Sequence, residues 1–227
     1  MHFWRSQILS TRADILVCLG CLLILLALPA MGQGDDDAPQ EIVAAPVAAE
    51  VAAATKLLRN VHAHELASKE VSIRRTLVQQ LVTQGAQTTT FSHVERYAML
   101  SIALEVAGDM GDFPAVDEAV NELAAQFEVD DVAMRVDAAK RAMLGNATEP
   151  TTVAMYLISL SRMSLQVENI SGSQSILNIA SSQVSRVARS DRALAEQLGQ
   201  QIAATRVTLN EVRSLPNARA TLQDDAD

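Results

Sequence analysis

Aromatic residues are scarce in this sequence: they make up 3% of 227 residues, and the single tryptophan is Trp4. A core without aromatic anchors must be assembled from Leu, Val, Ile, Met and Ala. That is a helix-packing palette, because Ala and Leu favour helices whereas strands call for β-branched and aromatic side chains. Cysteine is scarcer still, with Cys18 and Cys21 both inside an apolar run near the N-terminus. If that run is removed, the remaining chain can form no disulfide and offers no thiol nucleophile. There is no Lys/Arg run and no basic stripe interleaved with aromatics. With 18 basic against 27 acidic residues and a formal charge of −9, the surface repels phosphate backbones, and nucleic-acid binding is not expected. No Gly-x-Ser-x-Gly elbow, phosphate-cradling glycine loop or calcium-loop spacing occurs.

What is present begins with an export signal. Arg5 and Arg12 precede the apolar run Ile15 to Leu28, and Pro29, Ala30, Met31 and Gly32 follow it. Small residues at Ala30 and Gly32 fit a cleavage site, so residues 1–32 read as a signal peptide and the mature chain as starting near Gln33. The competing reading is an uncleaved anchor, since Ile15 to Met31 is almost long enough to span a bilayer. Leu19-Gly20-Cys21 faintly resembles a lipoprotein signal, but lipidation there would leave Leu22 to Leu28 as a redundant apolar stretch. Both main readings place the rest of the chain outside the cytoplasm, in the periplasm or secreted, or anchored in the inner membrane and facing the periplasm. Loss of the first 32 residues leaves 16 basic and 26 acidic residues.

Residues 33–50 combine an acidic run, two prolines and small residues, which predicts a disordered linker. Residues 51–215 predict seven or eight helices. The first two span about Val51 to Leu66 and Ser68 to Gln84, the second with Val71, Val78, Leu81 and Val82 on one stripe. Ser92 and Glu95 form a capping box for a helix to Met110, whose end Gly108 and Gly111 loosen. Asp112 is the expected cap of the next, with Pro114 in its first turn and Val116, Val120, Leu123 and Phe127 on its apolar face. Asp130 caps a helix carrying Val132, Val136, Ala139 and Met143, ended by Gly145-Asn146. Thr148 or Thr151 starts a helix over Val153 to Val167. Ser171 with Gln174 offers a capping box for the next, and Asp191 caps the last, with Leu194, Leu198, Ile202, Leu209 and Val212 along its face. Pro216 is expected to stop it, leaving residues 216–227 as a disordered acidic tail. Helix starts recur at offsets of roughly 57 to 62 residues, a hint of a three-helix unit used twice. No strand-period run of useful length is visible.

The stretch Glu95-Arg-Tyr-Ala-Met-Leu, through Ala107-Gly-Asp-Met-Gly-Asp-Phe-Pro-Ala-Val-Asp-Glu-Ala-Val, to Gln126-Phe-Glu-Val-Asp resembles the helical region of a group of secreted bacterial proteins. That region looks like degenerate tetratricopeptide packing: a helix, a turn at Gly111-Asp112-Phe113, and a second antiparallel helix. The resemblance is clearest over Phe91 to Leu144 and extends more loosely to Leu215. It departs from a true tetratricopeptide repeat at three points: Val116 stands at the small crossing position, Leu104 replaces the helix-A glycine, and no proline follows the Asp112-capped helix. The resemblance implies an all-α fold of antiparallel helix pairs in a short α-solenoid array. It also implies a scaffold or interaction surface, and it brings no catalytic residues.

The remaining candidate chemistry is thin. His62 and His64, beside Glu65, point to opposite sides if helical, whereas a helical metal pair needs a spacing of three or four. His93 lacks a nearby nucleophile of matching spacing. Asp35 to Asp37, Asp109 with Asp112, Asp130-Asp131 and Glu118 with Glu122 read as linker, caps and helix surface. The sequons at Asn146 and Asn169 are short enough to arise by chance. No catalytic, cofactor-binding or metal residue is therefore predicted, and only Ser and Thr are expected among inward polar groups. The leading expectation is an extracytoplasmic, non-catalytic helical-repeat scaffold that binds an unknown protein or peptide and touches membrane only through an uncleaved N-terminal segment. The alternatives are a small-ligand-binding or enzymatic helical bundle and a membrane-tethered structural envelope protein.

Overall fold

In a computed structural model, described over residues 42–145 and 148–224, the chain is all-α. Nine helices are present among the described residues: α1 (Ala48–Val61), α2 (Ala63–Ala67), α3 (Val71–Gly85), α4 (His93–Met110), α5 (Phe113–Gln126), α6 (Asp131–Gly145), α7 (Pro150–Gln166), α8 (Ile170–Val187) and α9 (Arg192–Asp224). Two short strands, β1 (Val43–Ala44) and β2 (Phe127–Glu128), pair in parallel, with Val43 opposite Phe127. The signal or anchor segment, both cysteines, Asp35 to Asp37 and Asn146 lie outside the described residues.

Most helix starts follow the local chemistry. At α4 the Ser92 hydroxyl accepts from the Glu95 amide at 3.3 Å while Glu95 Oε2 accepts from the Ser92 amide at 2.9 Å, completing the capping box. Asp130 and Asp191 cap α6 and α9 as expected, accepting from the Ala133 and Leu194 amides at 2.8 and 3.0 Å. Three caps differ from expectation. The Asp112 side chain makes no capping bond and instead accepts from Arg75 Nε at 2.8 Å, because a guanidinium from α3 reaches it first. Neither Thr148 nor Thr151 caps α7, which starts from Glu149 with Pro150 supplying a helical φ. Asn169, not Ser171, caps α8: its Oδ1 accepts from the Gly172 amide at 2.8 Å and from the Ser171 hydroxyl at 3.3 Å.

The two glycines at the end of α4 fix that end rather than loosen it. Gly111 sits at φ 65°, with its amide donating to Gly108 and the Asp112 amide donating to Ala107, each at 3.0 Å. That double bond pattern needs a left-handed residue, the conformation glycine adopts without a Cβ penalty. At Gly108 a Cβ would come within 3.2 Å of the Ala138 Cα, so the missing side chain is what lets α4 and α6 approach.

Three boundaries also move. The predicted linker does not persist to Glu50: Val43–Ala44 pair with β2 and α1 begins at Ala48. A two-residue ladder is too short to leave a period in the sequence, and the buried Phe127 anchors it from the other side. His62 breaks the first predicted helix into α1 and α2. The last helix continues through Pro216 to Asp224. A proline removes one backbone donor while keeping a helical φ, and Ala218, Ala220, Leu222 and Gln223 beyond it are good helix formers.

One core runs through α3 to α9. The faces anticipated for α5 and α9 are the buried ones: Val116, Val120, Leu123, Phe127, Leu198, Ile202 and Leu209. Val71 is the exception on α3, exposed while Val78, Leu81 and Val82 are buried, because it occupies the first helical position before the packed turns begin. Each helix from α3 onward packs on the next, and α3 with α5, α4 with α6, and α7 with α9 also touch. The short α1 folds back onto α4.

Candidate functional site

A shallow, open groove of about 480 Å³ lies between α7 and α9. Arg162, Leu165 and Gln166 line it from α7, and Ala204, Thr205, Thr208 and Val212 from α9. The spacing explains the lining. Positions 162, 165 and 166 share one flank of α7, and 205, 208 and 212 one flank of α9. Thr205 is buried; its hydroxyl donates to the Gln201 carbonyl at 2.9 Å and accepts from Arg162 Nε at 3.4 Å. Arg162 thus lies along the groove wall and is exposed as a residue. Leu165 and Val212 give apolar contact, and Gln166 and Thr208 give donors and acceptors.

Among the described residues, two polar clusters centred on arginines lie below the surface. The first surrounds Arg135, which is 4% exposed among Val136, Ala138 and Ala139 of α6. Its Nε donates to Asp117 Oδ1 at 3.0 Å, Nη1 to Asp131 Oδ2 at 2.6 Å and to the Asp131 carbonyl at 3.1 Å, and Nη2 to Asn121 Oδ1 at 2.6 Å. The Tyr156 hydroxyl of α7 adds a donation to Asp117 at 2.7 Å, and its ring stacks on Phe113 at 4.0 Å. Burial, and then the Asp117 carboxylate, push the Tyr156 hydroxyl far above the ordinary tyrosine range, so it stays a donor. Every charge here is answered by a protein partner, which makes the cluster a clamp joining α5, α6 and α7.

The second cluster closes the end of the first half of the core. Arg96 donates to Gln126 Oε1 at 2.6 Å, Gln126 donates to the Gly85 carbonyl at 3.1 Å, and the guanidinium lies 5.9 Å from the Phe127 ring centre. Tyr97 meets the same ring edge-on at 5.1 Å. The buried Nε of Arg96 has no hydrogen-bond partner, nor has that of Arg74.

Among the described acidic residues singled out in the sequence, several do more than cap or solubilise. Asp109 faces Arg74 at 3.7 Å and Arg141 at 3.6 Å, while Glu105 pairs with Arg59 and, at 3.4 Å, with Arg141. With Asp112 on Arg75, these carboxylates cross-link α1, α3 and α6 to α4. Asp130 is a cap and Asp131 an Arg135 partner, while Glu118 is exposed and Glu122 half-buried on α5. His62 lies at the α1–α2 junction, and His64 and His93 are exposed on separate helices. Among the described residues, no three His, Cys, Asp or Glu side chains gather as a metal site requires. No helix among them is long and apolar enough to cross a membrane.

Sequence reasoning missed Arg135 and the glutamines. The inward polar groups are not only Ser161, Ser164, Ser173 and Thr205 but also Arg135, Gln126 and Gln183. A signal for Arg135 was present: it sits between Val132, Val136 and Ala139 on an apolar stripe, four positions after Asp131, with Asp117 and Asn121 four apart on the preceding helix. Comparison of the chain with family models, curated proteins and solved structures finds no match in any of the three.

Proposed function

We propose that this chain is an exported, non-catalytic scaffold: a short array of antiparallel helix pairs, tetratricopeptide-like in arrangement, that holds a peptide segment of a partner protein in the groove between α7 and α9. The groove of about 480 Å³ with its mixed lining is the observation that carries this reading. An apolar side chain of the peptide would lie against Leu165 and Val212, and a carboxylate next to it would meet Arg162. Support comes also from the contacts of alternate helices, α3 with α5, α4 with α6 and α7 with α9, which stacked helical repeats use. Of the candidate carboxylates, Asp109, Asp112 and Asp131 are paired with Arg74, Arg141, Arg75 and Arg135.

The test is capture of the partner from the native envelope on tagged chain, compared with Arg162→Glu and Thr208→Arg. Both positions are exposed, so the variants should keep the fold to within about 0.5 kcal/mol. A partner lost from both variants supports the groove; a partner that stays bound to both removes it.

A second reading, a membrane-tethered envelope protein retaining Ile15 to Leu28, is favoured by a separate observation. Among the described residues, six of ten exposed large apolar side chains (Ile42, Val43, Val47, Leu57, Val61 and Val71) fall within residues 42–71.

A further inference from the structure

The helix α1 is the longest described helix in which no residue is fully buried. Its inner stripe is Val51, Ala54, Thr55 and Leu58, the i, i+3, i+4 and i+7 positions of one face, and each of them is only half-buried. The helix sits on α4; Leu58 packs against the edge of the core, and Arg59 pairs with Glu105 of α4. Other elements tie down both of its ends. Before it, β1 holds the chain to β2 through a two-residue ladder, and after it α2 touches α3. Two breaks separate α1 from these ties: Ala45 to Val47 belong to no element, and His62 leaves the helical region at φ −100° and ψ 25°.

We propose that α1 is a strap: it lifts from α4 as a body, hinging at Ala45 to Val47 and at His62, while β1, α2 and the core stay folded, and ionic strength sets how often it does so. The carboxylate beneath it is already shared between two cations. Glu105 presents Oε2 to Arg59 and Oε1 to Arg141 of α6 at 3.4 Å, and Asp109, one turn on, faces Arg141 at 3.6 Å and Arg74 of α3 at 3.7 Å. Lifting α1 returns Arg59 to water and leaves Glu105 with Arg141. No charge is stranded, and a stranded buried charge is the main cost of breaking an ion pair. The apolar loss is small as well, because only Val51 and Leu58 on the inner stripe carry large apolar side chains, both half-buried. Opening of this element therefore needs far less free energy than unfolding of the whole. The pair that resists it has side chains 44 and 31% exposed, so added salt reaches and weakens it.

Amide hydrogen exchange of the full chain, read by mass spectrometry over residues 52–61 of α1 and 98–107 of α4, tests the strap. Exchange in α1 should be at least about tenfold faster than in α4, and the ratio should rise between about 0.1 and 1 M salt. Equal rates in the two segments would mean that α1 opens only with the whole fold, and a ratio indifferent to salt would remove the ionic control; either overturns the proposal. Arg59→Ala should speed exchange in α1 by about two- to fivefold. Arg141→Ala, which takes away the second cation of Glu105, should slow it; an Arg141→Ala chain loosened as much as Arg59→Ala contradicts the shared carboxylate. A last variant separates lifting from unwinding in place. With Cys18→Ser and Cys21→Ser, Arg59→Cys and Glu105→Cys are joined by a short bifunctional maleimide and compared with the same chain before joining. Lifting predicts a several-fold slowing of α1 exchange on joining, whereas exchange unchanged by the link means that the helix unwinds on its seat and the strap is wrong.

Discussion

The clamp at Arg135 makes an asymmetric prediction. The guanidinium is 4% exposed, whereas its carboxylate partners Asp117 and Asp131 are 45 and 43% exposed. Removing the cation by Arg135→Met leaves two carboxylates that water can reach and a side chain that fills the space of the arginine stem. The expected cost is within about 1 kcal/mol of zero, because replacing a buried ion with an apolar group of similar size is often nearly neutral. Removing the anions by Asp117→Ala with Asp131→Ala leaves the buried guanidinium with only Asn121 and one carbonyl, and strips the Tyr156 hydroxyl of its acceptor. A stranded buried charge costs about 3 to 5 kcal/mol; since water can enter from the exposed side, the lower end is expected. For a domain of this size that is a fall in Tm of roughly 6 to 12 °C, against no more than about 4 °C for Arg135→Met. Adding Arg135→Met to the double variant should restore most of the loss. Thermal denaturation followed by circular dichroism measures all three. If Arg135→Met proves as costly as the double variant, or the triple variant is no more stable than the double, the cation is not the desolvated partner and the argument fails.

Other predictions follow from single positions. Gly111→Ala places a Cβ at φ 65° against Thr148 and should cost at least about 1 kcal/mol, whereas Glu168→Gly, relieving a non-glycine residue at φ 57°, should stabilise by up to about 1 kcal/mol in urea titrations. Ser92→Ala should cost about 1 kcal/mol near neutral pH. The Ser92 backbone amide, then its hydroxyl, hold the Glu95 carboxyl below its ordinary value, so Glu95's share of stability is present above the unfolded pKa near 4.5 and lost as pH falls through the lower folded value. The difference between Ser92→Ala and the parent should therefore narrow on acidification below about pH 4, and a gap that widens there would contradict the capping box. Gly108→Leu should lower Tm by more than about 4 °C by forcing α4 from α6.

The all-α class was legible because its signals are local. Ala and Leu set the helix content, and Ser92, Asp130 and Asp191 sit where a free helical amide needs an acceptor. The roles of Asp112 and Asn169 were not legible for the opposite reason. Asp112 is claimed by Arg75 of another helix, 37 positions away, and Asn169 outcompetes Ser171 only once the α7–α8 turn has its geometry. Arg135 was half legible: its place on the apolar stripe of α6 is visible in sequence, but Asp117, Asn121 and Tyr156 meet around it from two other helices only in the fold. The α7–α9 groove is likewise a product of packing: Arg162 and Thr205 are 43 positions apart, and nothing in either segment marks the other.

Site-specific photo-crosslinking in the native envelope tests the scaffold proposal most directly. A photoreactive residue replaces Thr208 on the groove wall or, as a control, Ser185, exposed on α8. The account predicts one discrete adduct from position 208, abolished by Arg162→Glu and absent from position 185. The same adducts from both positions, or an adduct at 208 indifferent to Arg162→Glu, would contradict the claim that this groove is where the protein holds its partner.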